Sequence, residues 1–162
     1  MNRREARGIA LELLFEYDFN RDKKPEQIIV DAIEWREIKV NQFAKYIFGL
    51  AAEHMQEIDT MISEKAANWR FDRMSRLAKA IMRLCIAEIV YTGTPDSVAI
   101  NEAVELAKDY DDEKGVSFIN GVLGGVVRAL PNYQSRQVEV FEDDDGEAEN
   151  EITEDIKEDT DE

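Results

Sequence analysis

Apolar residues recur at three- and four-residue spacing along most of the first 130 positions. From Ala6 they fall at Ile9, Ala10, Leu13, Leu14 and Tyr17, one face of a helix, with Leu11, Phe15 and Phe19 on a neighbouring stripe. That wide apolar arc suits a helix covered from two sides. Pro25 suits the first turn of a second helix, whose apolar side reads Ile28, Ile29, Ala32, Ile33 and Trp35. A third helix is predicted over about 41–61, with Phe43, Ile47, Leu50, His54 and Ile58 on one side. After a connection at 68–72, a fourth runs through Met74, Leu77, Ala78, Ile81, Leu84, Cys85 and Ile89. It stops before Pro95, with Gly93 as its cap. Further helices are predicted within 97–110 and 116–130, separated by the polar loop "DDEKG". No sustained alternation of period two appears. The pattern therefore predicts an all-α fold of two small packed helical subdomains, 1–65 and 66–131.

The remaining segment, 132–162, breaks the pattern. Its last 25 residues hold fourteen acids and one base, which accounts for −13 of the chain's net charge of −16. So few large apolar residues cannot offset the entropy of ordering, and a disordered acidic tail is expected. The helical body is thus close to neutral, and its local charges decide what it binds.

Most catalytic constellations are missing. One histidine and one cysteine, His54 and Cys85, cannot make a cysteine/histidine zinc site, and both lie on apolar stripes. "GVLGG" at 121–125 lacks the spacing of a phosphate-binding loop and reads as glycines allowing close helix packing. In the tail, a calcium-loop register built on Gly146 would put Phe141 and Ile152 where carboxylates are needed. No metal, cofactor or catalytic residue is expected. The single cysteine fits a reducing compartment, and no apolar run is long enough to span a membrane, so a cytoplasmic protein is expected.

What remains is the start. Arg3, Arg4 and Arg7 stand three and four apart, on one face of the first helix if it begins near Arg3. Cations gain nothing from the dipole at a helix N-terminus, and guanidinium groups match phosphate geometry. The arginines therefore point to an anionic partner, with a solubilising cluster as the plainer reading.

Three stretches carry more. "RREARGIALELLFEYD" (3–18), "NWRFDRMSRLAKAIMRLCIAEI" (68–89) and "VAINEAVELAKDY" with "FINGVL" (98–110 and 118–123) together resemble the NusB family of bacterial transcription antitermination factors. The resemblance spans about 3–130 in order and spacing. It implies a non-catalytic protein that binds the boxA element of ribosomal RNA transcripts together with NusE, a small ribosomal subunit protein. Together they act in the antitermination complex of RNA polymerase. It implies RNA contacts at Arg3, Arg4 and Arg7, with Tyr110 and Phe118 near the RNA path; Lys114, the only base of the acid-rich loop "DDEKGVS", is a further RNA-binding candidate. The resemblance places NusE docking at Phe15, Phe19, Asp72 and Arg76. A homodimer through the same face stays open, as does an adaptor that binds protein alone. An RNA methyltransferase would need a catalytic domain where this chain carries its acidic tail. That tail is also able to compete with RNA for the arginine cluster as an intramolecular phosphate mimic.

Overall fold

The computed structural model describes residues 1–66 and 71–131. Among them are seven α-helices, a single 3-10 turn and no strand. The helices are α1 (Arg3–Phe19), α2 (Pro25–Trp35), α3 (Gln42–Glu53), α4 (Met55–Lys65), α5 (Arg76–Thr92), α6 (Asp96–Lys108) and α7 (Glu113–Ala129). The 3-10 turn is Phe71–Arg73. The expected connection at 68–72 falls partly outside the described residues, and the acidic tail falls wholly outside them.

α5 organises the rest. Twelve of its seventeen residues are buried, from Ala78 to Thr92, so it is covered on all sides, as a central helix must be, with Arg83, Glu88 and Thr92 its buried polar residues. α1 and α3 pack on one part of it, α4, α6 and α7 on others. One continuous core draws side chains from every α-helix. Ser75 caps α5 by accepting a hydrogen bond from the Ala78 N–H at 3.0 Å. Gly93 ends it at φ 75°, a left-handed conformation that favours glycine.

Three local expectations are corrected. The helix predicted over 41–61 is two helices joined at His54, whose φ of −103° and ψ of 18° leave the helical region. The His54 ring stacks on Tyr91 of α5, with centroids 4.0 Å apart. Beyond that joint the chain exchanges α1 for α7 as a neighbour while still packing on α5. "DDEKG" is not simply a loop. Asp112 accepts a hydrogen bond from the Gly115 N–H at 2.9 Å and caps α7, which places Lys114 in its first turn. In α2, Ile28 and Ala32 are buried, but Ile33 is exposed and Trp35 is 81% exposed. That helix is too short, and packs on too few neighbours, to cover a wide arc.

Of the "GVLGG" glycines only Gly124 is tight, since a Cβ there would meet the Arg128 guanidinium of its own helix at 3.0 Å, a flexible side-chain end and not a neighbouring helix. A Cβ at Gly121 meets nothing within 4 Å. One at Gly125 would meet Lys65 at an ordinary 3.5 Å. Cys85 is fully buried and its thiol is pushed well up by that burial, which leaves it inert as a nucleophile.

Candidate functional site

The start of α1 is built by a capping box. Asn2 accepts from the Glu5 N–H at 2.8 Å, and the Glu5 carboxylate accepts from the Asn2 N–H at 3.1 Å. This fixes Arg3 and Arg4 in the first turn, both exposed. The Arg3 guanidinium carbon lies 3.9 Å from the centroid of the Phe43 ring in α3. Arg4 reaches the other way. Its Nε and Nη2 each donate to Glu102 of α6, at 3.1 Å. The hydrogen bond from Arg4 holds the Glu102 carboxyl below its usual range. Arg4 itself faces solvent, so salt screens this pair.

Arg7 is corrected. It does not share the exposed face with Arg3 and Arg4: only 7% of it is accessible. Its Nε donates to both oxygens of Glu88 in α5, at 3.0 and 3.2 Å, and its Nη2 donates to Oε1 at 2.5 Å. Glu88, equally buried, also accepts from the Thr94 hydroxyl at 3.1 Å. One helical turn beyond Arg3, the chain already lies over α5, so this arginine faces inward. It ties the arginine-bearing end of α1 to the central helix.

The second group divides. Tyr110, just past the end of α6, is 57% exposed. Lys114 and Phe118 face a shallow groove of about 530 Å³ between the end of α4 and α7, with Phe118 half-buried at its side. A larger groove, about 960 Å³, runs between α6 and α7. Its floor is Ile100, Val104 and Val116, and its polar groups include Asn101, Lys108 and Asn120. These three polar residues are not among those the sequence singles out. The signal is present all the same: Asn101 and Asn120 are the asparagines of "INEAV" and "FINGV", which the fold brings to one groove.

The docking candidates gather at the opposite end of α1. Phe15 is half-buried and Phe19 is 56% exposed, their rings edge-to-face at 5.1 Å. The Arg76 guanidinium lies over Phe19 at 4.2 Å and within 3.5 Å of Asp18. Asp72 is exposed on the 3-10 turn beside them. The wide apolar arc of α1 is thus covered at Leu11, half-covered at Phe15 and open at Phe19. About 21 Å of helix separates Arg4 from Asp18. Among the described residues, no set of three or more histidine, cysteine or acidic side chains is placed to hold a metal, and no helix is long and apolar enough to cross a membrane.

A model of the NusB family matches residues 4–128. The transcription antitermination protein NusB of Finegoldia magna is 41% identical over 135 residues, covering 82% of this chain and 98% of that protein. Its counterpart in Bacillus velezensis is 39% identical, over 78% of this chain and 95% of that one. Among solved structures, one of antitermination factors NusB and NusE in complex with double-stranded RNA superposes with a TM-score of 0.69. Its identity is 29%, and the match spans 79% of this chain and 97% of that one. The solution structure of NusB from Aquifex aeolicus gives a TM-score of 0.66 at 28% identity, spanning 84% and 100%.

Proposed function

Because this chain belongs to the NusB family, we propose that it is a cytoplasmic, non-catalytic transcription antitermination factor that binds boxA-like RNA of ribosomal transcripts together with NusE. The observation that carries this reading is the family match over 4–128, joined to a fold that separates two exposed surfaces at the two ends of α1. At one end, Arg3 and Arg4 take phosphate groups, and Arg4 releases Glu102 to do so. Arg7 holds that end in place rather than touching RNA. Tyr110 offers a ring for stacking on an unpaired base, with Lys114 and Phe118 along the α4–α7 groove. At the other end, Phe15, Phe19, Asp72 and Arg76 receive NusE, and the assembled complex acts on RNA polymerase.

Arg3→Ala with Arg4→Ala tests the RNA half. For single strands, each phosphate left without its cation flattens the plot of log affinity against log salt by about 0.7, so the slope of the double variant falls by about 1.4. Affinity for a boxA-like strand falls roughly tenfold at low salt. Fluorescence titration across a salt series gives both readouts. An unchanged slope removes these arginines from the RNA surface.

A further inference from the structure

Beside the exposed Phe19 lies a small polar recess of about 350 Å³, between the end of α1, the 3-10 turn and the first turns of α5. Four cations line it, Arg21, Arg76, Lys79 and Arg83, against two acids, Asp18 and Asp72. Asp18 alone is shared by three guanidinium groups, with Arg21 at 2.5 Å and Arg76 and Arg83 at 3.5 Å.

Arg83 is 1% exposed. Its Nε and Nη2 are engaged by Asp59 at 2.6 and 2.9 Å, and its Nη1, which makes no hydrogen bond, lies 3.5 Å from the Asp18 carboxylate. Lys79 is half-buried with its ammonium 4.5 Å from the Phe71 ring centroid, and no ion pair joins it to any described carboxylate. Burial, with Arg83 and Arg76 beside it, pulls the Lys79 ammonium below its usual range. With Asp59 pairing Arg83 and Asp18 shared by the guanidinium groups, the cation beside the recess that has no ion pair to a described carboxylate is Lys79.

We propose that this recess receives one aspartate or glutamate side chain of the NusE partner, which pairs with Lys79 and Arg76 while an apolar neighbour covers Phe19. This rests on the docking surface proposed above and adds the chemistry of its polar half. A protein carboxylate fits better than an RNA backbone. The recess is narrow and walled by Asp18 and Asp72, which a single buried carboxylate avoids but a run of phosphates does not. It also lies at the far end of α1 from Arg3 and Arg4. The aromatic rim and the recess are continuous, since the Arg76 guanidinium touches both Phe19 and Asp18.

The test is calorimetric titration of the complete chain with NusE. Lys79→Gln and the exposed Arg76→Gln are each expected to weaken binding by about 5- to 20-fold, with a shallower salt dependence. Each NusE aspartate and glutamate is then neutralised in turn. One such change is expected to weaken binding to the normal chain by a similar factor, and to have almost no further effect on Lys79→Gln. Phe19→Ala separates the two levels. If it too binds NusE normally, the docking surface itself is wrong. If it binds weakly while Lys79→Gln and Arg76→Gln bind normally, the surface stands and the carboxylate recess is overturned. The recess is equally overturned if no NusE carboxylate couples to Lys79, or if Lys79→Gln weakens boxA-like RNA binding without NusE.

Discussion

Replacing Arg7 by alanine lowers the stability of the folded chain by about 3–5 kcal/mol. The guanidinium is nearly inaccessible and donates to both oxygens of Glu88, itself 2% exposed. Truncation leaves a buried carboxylate whose remaining side-chain partner is the Thr94 hydroxyl. The variant bears the desolvation cost of Glu88 without its compensating charge. Urea denaturation followed by circular dichroism measures the loss. A change below about 1 kcal/mol would show that the pair behaves as a surface ion pair. Arg3→Ala, on an exposed side chain, provides the contrast: its effect falls on RNA affinity. Arg7→Ala therefore weakens RNA binding only indirectly, by freeing the end of α1 from α5.

Arg83→Met is the second large effect, about 2–4 kcal/mol. Arg83 is more deeply buried than Arg7, but its partner Asp59 keeps some exposure to water, which softens the penalty. Replacing Asp59 by leucine in the same chain recovers part of the loss, because the pair is then exchanged for apolar packing rather than broken. The deficit also depends on pH. Burial pushes the Asp18 carboxyl up, but Arg21, Arg83 and Arg76 outweigh it, and the net shift is downward. A depressed carboxyl contributes stability above its unfolded pKa and loses it as pH falls through the folded one. Removing Arg83 shrinks that contribution, so the deficit of Arg83→Met is largest near neutrality and narrows below about pH 4. Equal deficits at about pH 7 and about pH 2, below the depressed folded pKa, would show that Asp18 plays no part in it.

The helices were legible because burial imposes its period on the sequence. Pro25, Gly93 and the apolar spacing of α1 and α5 placed most of the elements directly. The joint at His54 was not legible, because it depends on stacking against Tyr91, thirty-seven residues away in the chain. Nor was the fate of Arg7. Helical spacing groups it with Arg3 and Arg4, and the acid that draws it inward is 81 residues away. A trace of it exists in the run "LCIAEIVY", where Glu88 is the lone acid on an otherwise apolar stripe and needs a buried cation. Arg83 in "AIMRLC" is the same kind of signal with the sign reversed. Phe15 and Phe19 show the limit from the other side. Their four-residue spacing announces an apolar stripe, but only the packing of neighbouring helices decides that Leu11 is covered and Phe19 is not.

In the function proposed, the two ends of α1 divide the work, one surface for RNA and one for NusE, joined by a helix about 25 Å long. The direct measurement is equilibrium binding of a boxA-like strand and a scrambled strand of equal length by the complete chain, with and without saturating NusE, across a salt series. The chain alone is expected to bind both with a steep salt dependence. NusE is expected to tighten the boxA-like strand far more than the scrambled one, and Arg3→Ala with Arg4→Ala to remove most of that gain. Equal affinity for the two strands in the presence of NusE, or no retention of RNA at any salt, would contradict the two-surface arrangement.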